Sequence, residues 1–114
     1  SNNGFVLDHY IIWEYDILRG ITSKYVLPRL KFLNCSVEEG MGALEEAFRN
    51  RYVRDFLLKP SAAFSITVMK ISKDLWRIII IDVEREFTRP KIPFLATSDS
   101  RLDVTIRLNE SWGS

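Results

Sequence analysis

Apolar residues recur every three or four positions between residues 37 and 58, which is the period of an amphipathic helix. Ser36 and Glu39 stand in the spacing of a capping box, in which each side chain accepts a hydrogen bond from a backbone N–H at the helix start. Pro60 ends the pattern because proline cannot continue a helix. The sequence therefore predicts one long amphipathic helix over residues 37–58, with an apolar face of Val37, Met41, Leu44, Phe48, Tyr52 and Phe56.

Residues 63–71 and 75–87 are rich in β-branched and aromatic side chains and flank a three-residue turn, which predicts a β-hairpin. If Ile71 faces Leu75 across that turn, the register follows by counting. The opposed pairs are then Val68 with Ile78, Ile66 with Ile80 and Phe64 with Asp82.

Four consecutive isoleucines at positions 78–81 make the second hairpin strand apolar on both faces, because side chains alternate along a strand. Ile78 and Ile80 are expected to face the helix. Ile79 and Ile81 then lie on the other face, beside small side chains of the partner strand. Either the N-terminal segment covers that face within the monomer, or the face is an interface, since exposed apolar patches mark binding surfaces.

The two ends of the chain also show the strand period. Residues 101–108 alternate between apolar and polar side chains, and residues 5–17 and 25–33 alternate similarly. We therefore expect an N-terminal hairpin that turns near residues 19–23, with Pro28 restricting its second arm to a sheet edge. A helix through Ile11, Tyr15 and Leu18 remains an alternative for residues 5–18.

These elements predict a single α+β domain over residues 1–114, in which a mostly antiparallel sheet of about five strands packs on the long helix in the order β-β-α-β-β-β. If residues 5–18 are helical, the sheet shrinks to three or four strands. Residues 1–4 and 110–114 are expected to be flexible or added ends. The chain opens on Ser1 rather than methionine, which suggests a trimmed chain or a domain of a longer protein.

Composition excludes several classes of protein. No apolar run approaches the length of a membrane helix, so we expect a soluble protein with no membrane partner. The net charge is +1 with both signs interleaved, which makes nucleic acid an unlikely partner. One histidine and one cysteine offer neither a metal cluster nor a disulfide, so we expect no cofactor and favour a reducing, cytoplasmic location.

The acidic residues after the isoleucines are the most visible candidates for chemistry. On one strand face, Asp82, Glu84 and Glu86 would stand about 6.6 to 7 Å apart, too far for neighbours to bind one metal alone. We therefore interpret them as a solvated extension of the strand. Weak catalytic candidates are His9, Asp82 and Glu84.

Two further features have local interpretations. Cys35 precedes the helix cap, where the helix dipole could lower the pKa of its thiol, but the sequence places no base nearby, which favours an inert side chain. Gly40 and Gly42 weaken an early helical turn, which suggests that a strand or a partner approaches that backbone closely.

The leading hypothesis is a non-catalytic protein-interaction or assembly module, homodimeric or a subunit of a larger complex, that associates through its sheet and its aromatic N-terminal strand. One alternative is a domain or enzyme that binds a small hydrophobic molecule in a cleft between helix and sheet. A nucleic-acid role through a basic strip ranks third. The expected interface residues are Tyr10, Trp13, Tyr15, Ile79, Ile81 and Phe94, and the basic strip comprises Arg49, Arg51, Arg54, Lys59, Lys70, Lys73, Arg89 and Lys91.

Overall fold

The computed structural model describes residues 4–8, 11–13, 24–26, 28–59, 61, 63–88 and 100–108. It confirms the α+β class. In chain order the elements are β1 (Gly4–Asp8), β2 (Ile11–Trp13), β3 (Lys24–Val26), β4 (Pro28–Leu33), α1 (Val37–Ala47), α2 (Arg51–Leu57), β5 (Phe64–Lys70), β6 (Leu75–Asp82), α3 (Val83–Thr88) and β7 (Arg101–Arg107).

The sheet is mixed. Strands β4, β5, β6 and β7 lie side by side in that order, and β1 pairs at the outer edge of β4. Strands β4 and β5 are parallel, whereas β6 is antiparallel to both of its neighbours. The prediction of a mostly antiparallel sheet of about five strands is correct only in part. The parallel pair of β4 and β5 makes the sheet mixed, and its body has four strands, with β1 added at the edge of β4. Helices α1 and α2 connect β4 to β5 and carry the chain back to the end of the sheet where β4 begins. Strand β5 therefore runs parallel to β4.

The N-terminal arms pair antiparallel in one continuous register, from Gly4 opposite Leu33 to Trp13 opposite Lys24. Residues 5–8 and 11–13 are therefore strand, while residues 14–23, with the expected turn, lie outside the described residues. Pro28 does not place the second arm at an edge, as β4 lies between β1 and β5. It occupies the first position of its strand, where a missing N–H is tolerated.

The predicted single helix over residues 37–58 is two helices, broken at Asn50. The capping box at the start of α1 is confirmed, with Glu39 N donating to Ser36 Oγ at 3.0 Å and Ser36 N to Glu39 Oε1 at 3.2 Å. Asn50 has extended backbone, and its side chain accepts from the N–H groups of Tyr52 and Val53 at 2.8 and 3.3 Å. An amide side chain that offers the backbone such bonds favours a new helix start over continuation.

The break also changes which side of α2 is buried. Tyr52, predicted on the apolar face, is 68% exposed, whereas Val53, Phe56 and Leu57 are buried. The helical period was therefore correct within each helix but could not be extended across Asn50.

Replacing Asn50 with alanine should lower the free energy of unfolding by about 1 kcal/mol, the usual cost of removing an N-cap side chain. Chemical denaturation of the full chain measures the change. Asn50→Asp retains the acceptor and should differ from the parent by only a few tenths. Equal stability of the alanine variant and the parent would show that the cap does not set the start of α2.

The hairpin register is confirmed at every position predicted, including Phe64 opposite Asp82 and Ile66 opposite Ile80. The alternation of β7 is also confirmed, with odd-numbered side chains exposed and even-numbered ones half-buried. One face of the sheet packs on α1 and α2 through a continuous core. Its fully buried members, all at most 1% exposed, include Leu30, Phe32, Leu44, Val53, Leu57, Ile66, Val68, Ile78 and Ile80.

Candidate functional site

The predicted site residues fall into two groups. His9, Tyr10, Tyr15 and Phe94 lie outside the described residues and stay predictions, and Trp13 is located only as a residue of β2. The other four residues, Ile79, Ile81, Asp82 and Glu84, lie on β6 and at the start of α3.

Asp82 is not part of a strand that extends into water. Strand β6 ends at this residue and α3 begins at the next. Its side chain is 0% exposed and accepts hydrogen bonds from Ser61 Oγ at 2.6 Å and from the backbone N–H of Arg85 at 3.3 Å. The Arg85 guanidinium forms an ion pair with the same carboxylate. Asp82 therefore caps the N-terminus of α3 and ties it to Ser61, so the solvated-extension prediction was wrong for this residue.

Two opposing effects set the pKa of Asp82. Burial raises the pKa of the carboxyl, but the hydrogen bonds from Ser61 and Arg85 and the charge of Arg85 together outweigh it, and the pKa lies below its ordinary value. The carboxylate is therefore ionised at neutral pH. A general acid or base needs a pKa near the working pH, which this residue does not have.

The rest of the acidic run has separate partners. Glu86 accepts from Arg101 Nη2 at 2.8 Å, and Glu84 is exposed in the first turn of α3. Among the residues that the structure describes, no group of three or more His, Cys, Asp or Glu could hold a metal ion. The signal missed in the sequence was an aspartate followed by two glutamates, since acidic residues favour the positive end of a helix.

The face of the sheet away from α1 and α2, called the reverse face below, is unevenly covered. Ile78 and Ile80 are 0% exposed, whereas Ile79 and Ile81 are only partly buried. Across the strands, Ile79 lies opposite Thr67 on β5 and Asp103 on β7. The centre of the reverse face combines apolar side chains with the small hydroxyl side chains of Ser65 and Thr67. All of its members are partly exposed: Leu33, Ser65, Thr67, Met69, Ile79 and Ile81.

Charged pairs line the β7 side of the reverse face. Arg77 donates to both carboxylate oxygens of Asp103, at 2.9 and 2.5 Å, and these bonds lower the pKa of Asp103. Arg107 Nη1 donates to both carboxylate oxygens of Asp74 at 3.1 Å. Exposed pairs of this kind contribute little to stability, because the solvent screens their charges. The alternating charges of Arg101, Asp103 and Arg107 along β7 have a larger effect on which strand can pair with β7.

The predicted basic strip is largely neutralised. Lys70 Nζ lies 2.9 Å from Glu39 Oε2, and that hydrogen bond lowers the pKa of Glu39. Lys59 Nζ lies 4.3 Å from the centroid of the Phe56 ring. Arg89 and Lys91 lie outside the described residues. Two more of its arginines pair with acidic neighbours: Arg49, just past the end of α1, pairs with Glu46, and Arg51 pairs with Asp55 within α2.

The surroundings of Cys35 favour its protonated thiol. Its thiol is partly buried, and burial, followed by the negative charge of Glu39, raises its pKa above the ordinary value. The helix dipole therefore does not lower the pKa of this thiol below its ordinary value. These surroundings agree with the interpretation of Cys35 as an inert side chain.

Gly40 is required by a strand of the sheet. A Cβ on this residue would lie 2.6 Å from Cε1 of the buried Phe32 ring and closer still to Cδ1. The close approach expected from the glycines is thus confirmed at Gly40, and the approaching group belongs to β4.

The fold and these surfaces define the class only as an α+β protein whose mixed sheet has helices packed on one face. No protein-family model matches the chain, and neither a curated protein nor a solved structure is significantly similar to it. Among the described residues, no helix combines the length and the apolarity needed to cross a bilayer.

Proposed function

We propose that the chain is a non-catalytic assembly module, homodimeric or a subunit of a larger complex, that associates with protein through its sheet. The supporting observation concerns β6, which carries apolar side chains on both faces but is fully buried on only one of them. Ile78 and Ile80 are 0% exposed beneath the helices, while Ile79 and Ile81 keep part of their surface in contact with solvent. Apolar surface left on a sheet favours association, because burying it releases about 25 cal/mol per Å².

The expected aromatic contribution from Tyr10, Trp13 and Tyr15 belongs to the same proposal. Strand β2, which contains Trp13, continues the register of the N-terminal hairpin whose first strand pairs at the β4 edge. An interface that includes this hairpin would therefore approach the sheet from its β1 side.

The alternative of a ligand cleft between helices and sheet has less support. Residues on both sides of that boundary are fully buried, such as Leu44 on α1 and Ile66 on β5. The backbone of Gly40 and the ring of Phe32 are in direct contact, which leaves no space at that point. Asp82, one of the weak catalytic candidates, already binds Ser61 and Arg85.

Solution mass tests the proposal. Light scattering on a sizing column should give a mass above the 13.3 kDa of one chain, rising with protein concentration. Ile79→Lys on the reverse face and Thr105→Pro on β7 each alter the sheet, and at least one of them should return the mass to that of one chain. Tyr52→Lys, on the exposed side of α2, is the matched control and should leave the mass unchanged. Sensitivity to the Tyr52 substitution alone would contradict association through the sheet.

A further inference from the structure

Strand β7 is an open edge in the described part of the chain, because β6 is its only strand neighbour there. Leu108 N donates to Asp74 O at 2.7 Å, which places the even-numbered residues of β7 in hydrogen-bonded pairs with β6. Since bonding direction alternates along a strand, the N–H and C=O groups of the odd-numbered residues point away from β6. The edge therefore presents the backbone groups of Arg101, Asp103, Thr105 and Arg107 to an incoming strand.

We propose that a second copy of the chain pairs antiparallel with β7 across a two-fold axis at Thr105, which joins the two sheets into one. This inference rests on the proposed self-association and places the contact at β7, the edge opposite β1 in the strand order, where Ile79 and Ile81 take no part in it. In a two-fold contact, the same surface serves both subunits, so β7 must be complementary to itself.

The charges on β7 favour this register. With the axis at Thr105, Asp103 lies opposite Arg107 of the other copy, twice in the dimer. Moving the axis to Asp103 would oppose two aspartates, and moving it to Val104 would oppose Arg101 and Arg107. Opposite charges directly across antiparallel strands stabilise pairing and like charges oppose it. A register centred on Leu102 also matches charges, but it leaves residues 105–107 without partners on the other β7.

The charged side chains of β7 have capacity for this additional contact. Arg107 contacts Asp74 through Nη1, and a guanidinium has five N–H donors. The carboxylate of Asp103, held by Arg77, can accept more bonds than the two it receives. At the junction of the dimer, each negatively charged Asp103 would then lie beside a positively charged Arg107 of the other copy.

Apolar side chains on the opposite face of β7 fit the same register. Leu102, Val104 and Ile106 are only partly buried, because they stand at the margin of the core. With the axis at Thr105, Val104 of each copy faces Ile106 of the other. Charged edges commonly protect proteins against unwanted strand pairing, and here the mixed signs oppose two competing registers while permitting this one.

Thr105→Pro is the first test, read by light scattering on the full chain. Thr105 would meet its own copy at the axis, so one substitution removes both central N–H donors. Proline leaves the β6–β7 ladder intact, because the Thr105 N–H points away from β6. We expect a dimer for the parent, a single-chain mass for Thr105→Pro with an unchanged circular dichroism spectrum, and a dimer for Ile79→Lys.

Charge exchange supplies a second test that does not depend on proline. Asp103→Lys and Arg107→Glu should each weaken self-association about tenfold, because each places two like-charged pairs at the junction. Mixing the two variants should restore dimers, since both pairs of the mixed dimer are then opposite in sign. Thermal unfolding of each variant checks that the monomer fold is retained.

The outcomes separate this inference from the proposed function. A parent dimer that survives Thr105→Pro, that dissociates with Ile79→Lys instead, or whose charge variants fail to pair on mixing would overturn the β7 contact and leave association through the sheet standing. A parent that remains a monomer at the highest attainable concentration would overturn the β7 dimer and the self-association on which it rests.

Discussion

Replacing Gly40 with alanine is expected to lower the free energy of unfolding by about 2 kcal/mol, although alanine is the better helix former by about 1 kcal/mol. The added methyl group would overlap the Phe32 ring, which is 0% exposed and has little space to move. Either α1 or β4 must shift, and overpacking of a close-packed core usually costs about 1 to 3 kcal/mol. Chemical denaturation of the full chain provides the measurement.

A double-mutant cycle with Phe32→Leu assigns the cause. Phe32→Leu removes the ring that meets the new Cβ, so Gly40→Ala should cost at least about 1 kcal/mol less in that background. Gly42→Ala is the matched control in the same helical turn, where Gly42 is partly exposed, and should be neutral or stabilising. Equal costs of Gly40→Ala with phenylalanine and with leucine at position 32 would refute the packing explanation.

Replacing Asp82 with alanine should cost about 2 to 3 kcal/mol, because the substitution removes an N-cap acceptor and leaves the Ser61 hydroxyl and the Arg85 guanidinium without it. Glu84→Gln, two residues away on an exposed position, should change stability by less than about 0.5 kcal/mol. Comparable losses at both positions would contradict a specific structural role for the buried carboxylate.

The pH dependence of the Asp82→Asn variant tests the same contact through its charge. The pKa of Asp82 is lower in the folded chain than its ordinary value of about 3.9, so ionisation stabilises the fold. That contribution is fully present above about pH 4 and is lost as the pH falls through the folded pKa. The stability difference between the parent and Asp82→Asn should therefore shrink on acidification. Other carboxylates with lowered pKa values titrate in both proteins, and a constant difference down to pH 2 would contradict the role of the charge.

Local periodicity was sufficient to predict the described hairpin and its register. Period-two alternation and a short turn fix which side chains oppose, and Ile66 does face Ile80. The same information could not reveal that β4 and β5 are parallel neighbours, since strand order depends on where the helices return the chain. The mixed sheet is therefore a consequence of tertiary topology rather than of any segment taken alone.

The errors at Asn50 and Asp82 share one physical origin. In both places an apolar period continues past a residue whose side chain caps a helix, at Asn50 for α2 and at Asp82 for α3. Capping side chains compete with continuation of the preceding element, and that competition is decided within one or two residues. A period read over a longer segment does not reveal this competition, although asparagine and aspartate are both favoured N-cap residues.

The candidate interface was predictable only in outline. Four adjacent isoleucines require cover on both faces, and the structure shows that Ile79 and Ile81 are incompletely covered. The sequence could not show which strand has an open edge, because that depends on the strand order. An interior strand could have the same alternation as β7. The register proposed for β7 depends on that order and on the positions of Asp103 and Arg107.

The mass of the unmodified chain in solution tests the central proposal most directly. Light scattering across a concentration series should show a species of twice the 13.3 kDa chain mass, in equilibrium with single chains at low concentration. A mass of one chain at every concentration, with no rise at the highest, would contradict self-association through the sheet.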